Sequence, residues 1–329
     1  MAKHRILVTG ANGWIGSAVL GRLTQMGELC RGAVRTKQLT PTQQDLVISG
    51  EIDAKTNWLP ALADVSLVVH TAARVHVMVD TATDPLTEFH RVNVQGTLNL
   101  ARQAAALGVL RFVFVSSIKV NGEASQLGRP FMADDPALPL DAYGLSKMEA
   151  EQGLREIAWQ TGMEIVIIRP TLVYGPGVNA NFATMIRWLK SGVPLPLGAI
   201  RNRRSLVSLD NLVDLLVTCL THPAAANQTF LVSDGEDVST TELLRRMGQA
   251  LGFSAHLIPV PAVLLKLAAA MVGKQDVAQR LCCSLQVDIE KNRRLMGWTP
   301  PISLDEGLKR VGAMDPRYKS ENDDGRCAG

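Results

Sequence analysis

Residues 5–23 restrict what this chain can fold into more than any other stretch. Ile6-Leu7-Val8 is an apolar β run, Gly10, Gly13 and Gly16 follow at a spacing of three, and an apolar, helix-forming segment continues to Leu23. Strand, glycine turn and helix in this order direct free backbone N–H groups and the positive end of a helix toward one point, where a pyrophosphate fits. The spacing is G-x-x-G-x-x-G rather than the commoner G-x-G-x-x-G, and three glycines alone would equally serve a tight turn with close helix packing. The rest of the chain decides between the two.

Four further apolar runs, 29–34, 67–69, 112–115 and 165–168, lack polar alternation, as parallel strands covered on both faces do. Helical patterns lie between them, notably at 88–107 and 143–161. This alternation predicts an α/β fold, a doubly wound parallel Rossmann sheet, with ligands at the carboxyl ends of its strands. The 329 residues suffice for two domains, at about 150 residues each. The dinucleotide-binding domain covers 1–177. Beyond Gly177 the parallel pattern gives way to Pro- and Gly-spaced segments and short helices, which predict a smaller C-terminal α/β substrate-binding domain. Residues 315–329 are polar without an apolar period and predict a disordered tail.

Several function classes are excluded by composition. The formal net charge is +3 and aromatic residues make up 5%, so no basic stripe with interleaved aromatics argues for a nucleic-acid partner. Five cysteines form no C-x-x-C pair and no His-rich segment accompanies them, which argues against disulfides and against a metal site. The first strand begins almost at once, leaving no room for a secretory leader, so a cytoplasmic location is expected. The longest apolar stretch, 260–272, is broken by Lys266 and falls short of the roughly 20 residues that cross a bilayer. No membrane span is expected, and this stretch reads as a core or interface helix.

The second strand ends at Val34-Arg35. A site specific for NAD usually places an acid there to hold the adenosine ribose, whereas an arginine pairs with a 2′-phosphate. Arg35 has Lys37 nearby and no acid between Cys30 and Pro41, which favours NADP(H) over NAD(H) as cofactor. Further along, His70-Thr71-Ala72-Ala73 supplies small residues at a strand end, and Gly96 interrupts a helical pattern just after Asn93. A glycine there costs around 1 kcal/mol, so close packing or a local distortion is expected. Ser116-Ser117 leaves the next strand, and Tyr143 and Lys147 sit four apart on a helix, facing one point. A cation beside a phenol lowers its pKa from the reference value of about 10 and makes it a usable acid or base.

Thr9-Gly10-Ala11-Asn12-Gly13-Trp14-Ile15-Gly16, His70-Thr71-Ala72-Ala73, Asn93-Val94-Gln95-Gly96-Thr97, Ser116-Ser117, Tyr143-Gly144-Leu145-Ser146-Lys147 and Arg169-Pro170-Thr171-Leu172-Val173-Tyr174-Gly175-Pro176-Gly177 occur in this order. Together they resemble the extended short-chain dehydrogenases/reductases of the NAD-dependent epimerase/dehydratase family, over about residues 5–311. The resemblance implies Ser117, Tyr143 and Lys147 as the catalytic trio. It implies cofactor contacts from Gly10, Asn12, Gly13, Trp14, Ile15 and Gly16, from Glu51 and Ile52, from Thr71, Ala72 and Ala73, and from Asn93, Tyr143, Lys147 and Pro170. It also implies a nucleotide diphosphate sugar, UDP-linked, as substrate, held by Ser117, Lys119, Asn181, Leu195, Arg204 and Arg280. Residues 204–234 resemble the family's stretch that returns to the dinucleotide-binding domain, leaving 178–203 and 235–314 for the substrate. Helices 88–107 and 143–161 resemble those through which relatives pair as homodimers.

Three functions compete. Arg35 favours an NADPH-dependent reductase of a UDP-4-keto-sugar, such as UDP-4-keto-6-deoxy-N-acetylglucosamine. Segments 117–123 and 284–288 are similar to reductases of bacterial surface-polysaccharide synthesis. A UDP-glucose or UDP-N-acetylglucosamine 4-epimerase with tightly bound NAD is the alternative, and a non-catalytic nucleotide sensor is the third. A matched acid and cation at Tyr143 and Lys147 count against the sensor.

Overall fold

The computed structural model describes residues 4–36, 45–75, 84–178 and 180–314. Lys37 and the expected tail at 315–329 lie outside the described residues. The strands are β1 (Arg5–Thr9), β2 (Cys30–Val34), β3 (Asp45–Ile48), β4 (Val65–His70), β5 (Arg111–Val115), β6 (Glu164–Pro170), β7 (Leu172–Tyr174), β8 (Arg204–Ser208), β9 (Thr229–Val232) and β10 (Asp237–Val238). Seven form one parallel sheet in the order β3-β2-β1-β4-β5-β6-β9, and β10-β8-β7 form a second sheet. The expected parallel α/β sheet is therefore present, and the five apolar runs are five of its strands. β3 and β9, four residues each, complete it.

The helices are α1 (Trp14–Gln25), α2 (Leu59–Leu62), α3 (Pro85–Phe89), α4 (Thr97–Ala106), α5 (Ala142–Thr161), α6 (Ala180–Lys190), α7 (Leu209–Thr221), α8 (Thr240–Leu251), α9 (Ala262–Met271), α10 (Gln275–Cys282), α11 (Glu290–Met296) and α12 (Leu304–Met314). Alternating residues of the central strands point to opposite faces. Ile6 and Val8 join a core with Val19, Leu20, Leu212 and Leu216 of α1 and α7, while Leu7, Val68 and Phe112 join one with Leu100, Leu154 and Ile157 of α4 and α5. Both faces are thus covered, which explains the lack of polar alternation in the strands. A third core gathers Tyr174, Phe182, Leu206, Leu244 and Leu308 around the small sheet.

The distortion expected beside Asn93 is present. The pattern at 88–107 is not one regular helix. Between α3 and α4 a wide π turn spans His90–Gly96, and a Cβ on Gly96 would stand 2.5 Å from Ile52 Cγ2. Close packing and distortion coincide at this glycine. Of the two places open to the apolar stretch at 260–272, core or interface, the core is excluded: α9 contains no buried residue. Its apolar composition reflects a surface.

Candidate active site

The carboxyl ends of β1, β4, β5 and β6 converge on one edge of the sheet. At β1, Gly10 turns the chain with φ of +67°, where a side chain would be strained, and a Cβ there would lie 2.9 Å from the Ala72 backbone. A Cβ on Gly16 would run into the Gly10 carbonyl. Gly13 caps α1 without any side-chain hydrogen bond. The turn is thus built of bare backbone pressed against β4, with the amino end of α1 behind it, which is the arrangement that receives a pyrophosphate.

Side chains lock the two strand ends together. The Thr71 hydroxyl donates to the Thr9 carbonyl at 2.7 Å. Buried His70 bridges Thr9 Oγ1 at 2.6 Å and Thr97 Oγ1 at 2.9 Å. Burial pushes the His70 pKa down to about 3, and the Lys147 charge adds to the effect, so this imidazole is a neutral brace. Asn93, placed by the π turn, accepts from Arg74 N at 2.8 Å and donates to Ser146 Oγ at 3.0 Å. It thereby ties the 71–74 segment to α5. Trp14 Nε1 donates to the Pro176 carbonyl at 2.7 Å, joining the glycine turn to the loop after β7.

Ser117 leaves β5 half-buried, and its hydroxyl accepts from Lys119 N at 3.2 Å. Helix α5 starts at an Asp141 cap, whose carboxylate accepts from Gly144 N at 2.7 Å. Tyr143, half-buried, lies in the first turn, edge-on to Phe89 with ring centroids 6.0 Å apart. Buried Lys147 donates from Nζ to the Val115 carbonyl at 2.9 Å and stands 4.6 Å from the Phe114 ring centroid and 5.9 Å from that of Tyr143. The trio expected from the sequence is therefore gathered at the ends of β5 and α5.

The electrostatics differ from the expectation. The Tyr143 phenol is pushed well above its ordinary range, chiefly by burial and secondarily by the Asp141 charge. Burial draws Lys147 down to about 7, with Glu151 opposing. Burial and Asp141 thus keep Tyr143 in its protonated form.

Arg35 follows β2 directly, exposed, and β2 lies against the glycine turn through the Ala11 N to Ala33 carbonyl bond of 3.2 Å. Glu51 is exposed and pairs with Arg91 at 3.3 Å, next to half-buried Ile52. Pro170 closes β6. Lys119 is engaged by Asp141 and by Glu123 at 3.1 Å, so it stabilises the start of α5. The Asn181 side chain lies outside the described residues. Leu195 uses its backbone to bind His256 and Ile258, at 2.8 Å each. Arg204 donates to the carbonyls of Arg280 at 2.9 Å and Cys283 at 3.1 Å, and exposed Arg280 lies beside it in the last turn of α10. The two arginines singled out in the sequence are thus neighbours.

One buried group escaped the sequence reading. Glu151, one turn beyond Lys147 and fully buried, receives Arg169 Nε at 2.8 Å and Nη2 at 2.6 Å, and the Ser116 hydroxyl at 2.6 Å. Arg169 also donates to Asn121 at 2.9 Å. The signal was an acid among apolar residues on one face of α5 and an arginine closing an apolar strand, since buried charges demand partners.

This sheet, its glycine turn and the Tyr143–Lys147 pair define an enzyme of the extended short-chain dehydrogenase/reductase type. The chain belongs to the NAD dependent epimerase/dehydratase family, whose sequence model matches residues 6–233. It is 49% identical over 308 residues to a UDP-glucose 4-epimerase of Vibrio cholerae, covering 93% of this chain and 94% of that one. In fold it is similar to a short-chain dehydrogenase/reductase superfamily protein from Agrobacterium tumefaciens with bound NAD, at TM-score 0.76 and 24% identity over 94% of this chain and 97% of that one. It is also similar to the UDP-glucose 4-epimerase of Thermotoga maritima with UDP-glucose, at TM-score 0.74 and 20% identity over 94% and 98%.

Proposed function

We propose that this protein is a UDP-hexose 4-epimerase that keeps NAD through its cycle. The observation that carries the reading is the 49% identity, over nearly the whole of both chains, with the Vibrio cholerae UDP-glucose 4-epimerase. The turn at Gly10, Gly13 and Gly16, packed too closely on the Ala72 backbone and the Gly10 carbonyl to admit a Cβ at Gly10 or Gly16, brings bare backbone to the amino end of α1 and fits a dinucleotide pyrophosphate. When bound, the nicotinamide supplies hydride acceptance and return at the sugar's C4. Tyr143, once ionised to the phenolate beside the Lys147 cation that is anchored on the Val115 carbonyl, takes the proton from the C4 hydroxyl and gives it back when hydride returns, while Ser117 orients that oxygen. Arg204 and Arg280 flank the place of the diphosphate. In this reading 1–177 with 204–234 hold the dinucleotide, 178–203 with 235–314 hold the sugar nucleotide, and two copies pair through α4 and α5.

The test is UDP-glucose incubated with purified enzyme and no added reductant, the products being followed by NMR. Accumulation of UDP-galactose to an equilibrium mixture is expected. No interconversion of either UDP-glucose or UDP-N-acetylglucosamine would remove the epimerase reading.

A second reading, the NADPH-dependent reduction of a UDP-4-keto-sugar, is favoured by Arg35 at the end of β2. Titration of the nucleotide-free protein decides it. The reductase reading expects tighter binding of NADPH than of NADH, reversed in Arg35→Asp, because a carboxylate repels the 2′-phosphate that the guanidinium attracts. Equal affinities in the wild type would leave Arg35 as a solvated surface residue.

A further inference from the structure

Helix α9 presents a surface that the chemistry leaves unused. Ala262 and Leu265 lean on the third core, but Val263, Leu264, Leu267 and Met271, which share one face of the helix, are 67%, 56%, 57% and 82% exposed. Val272 extends this stripe. Large apolar side chains gathered in this way mark a contact surface. In sequence, the charges leading up to it and through it, as far as Asp276 in α10, are basic. Residues 243–275, between Glu242 and Asp276, include no Asp or Glu, and Lys266 and Lys274 are exposed beside the stripe. Helix α10 packs on α9 and carries exposed Arg280 in its last turn. Exposed Arg203 is tied to the same place by its backbone N–H on Ser284 Oγ at 3.0 Å.

An apolar stripe with a cationic rim matches acyl chains topped by anionic headgroups. A second copy is a poorer match, because a two-fold contact through this face would bring the two lysine rims together. Ten residues of helix span about 15 Å, too short to cross a bilayer and suited to lying in its surface.

We propose that the α9–α10 unit docks this enzyme on the surface of a membrane containing anionic phospholipid. Val263, Leu264, Leu267 and Met271 enter the acyl boundary, and Lys266 and Lys274 meet the headgroup phosphates. The proposal stands apart from the epimerase reading.

The full-length protein is sedimented with vesicles of equal parts phosphatidylglycerol and phosphatidylcholine, and with vesicles of phosphatidylcholine alone. Binding to the first is expected, with about 10-fold weaker partitioning onto the second. Leu264→Ser, Leu267→Ser and Met271→Ser combined should weaken binding to the anionic vesicles by about 100-fold. These side chains are exposed, so the variant should fold and turn over a UDP-sugar in solution at the wild-type rate. Three results would each overturn the proposal: wild-type protein that ignores both vesicles, a triple variant that binds as the wild type does, or self-association through this face that the triple substitution abolishes.

Discussion

Tyr143→Phe is expected to leave the fold and nucleotide binding intact while slowing turnover by about 100-fold or more, the scale of a lost general acid or base. The phenylalanine keeps the ring that meets Phe89 edge-on; only the hydroxyl is lost. Its proton is held tightly because burial and Asp141 both raise the phenol's pKa. Ionisation therefore depends on a nearby positive charge, and Lys147 is the buried cation beside it. Lys147→Met should slow turnover as well and also weaken nucleotide binding, which separates its role from that of the phenol. Turnover by Tyr143→Phe within a few-fold of wild type would assign the proton transfer to another group.

The second large effect concerns stability. Arg169→Met is expected to cost about 3–5 kcal/mol, because it leaves the Glu151 carboxylate buried without its main counter-charge. Both partners lie in the interior, and Arg169 supplies two of the hydrogen bonds to Glu151. Ser116 and Arg155 remain on the carboxylate, but Arg155 is half exposed and repays little of the lost charge. Adding Glu151→Leu to Arg169→Met should recover much of the loss, since an apolar pair avoids the uncompensated charge. Urea unfolding of the two variants measures this. A loss below about 1 kcal/mol in Arg169→Met would mean that water or a neighbour neutralises Glu151.

Much of the sheet and the reactive groups was legible because both have local signatures. A strand covered on both faces needs a continuous apolar run, and Tyr143 and Lys147 share a helix face by their spacing alone. What stayed hidden depends on distant partners. Arg169 lies in sequence beside Pro170 and a motif, and only the folded chain shows it on Glu151. The apolar character of 260–272 says that the segment avoids water, not what covers it, and so core and interface were equally open for α9. The phenol's pKa was misjudged for the same reason. Spacing puts the lysine close, but how deeply both groups are buried is a property of the tertiary fold.

The π turn at His90–Gly96 also makes chain length a functional variable. A wide turn takes up one residue more than the helix axis requires, so removing one residue there would restore a regular helix. Because the π turn absorbs its surplus residue locally, the helix beyond the deletion would keep its phase, and the cost would fall on the residues that the turn itself places. Asn93 would leave its place between Arg74 and Ser146, while Leu100 and Ala101 of α4 would stay on the sheet. In this segment a one-residue deletion would therefore strike the Asn93 link and spare the helix behind it.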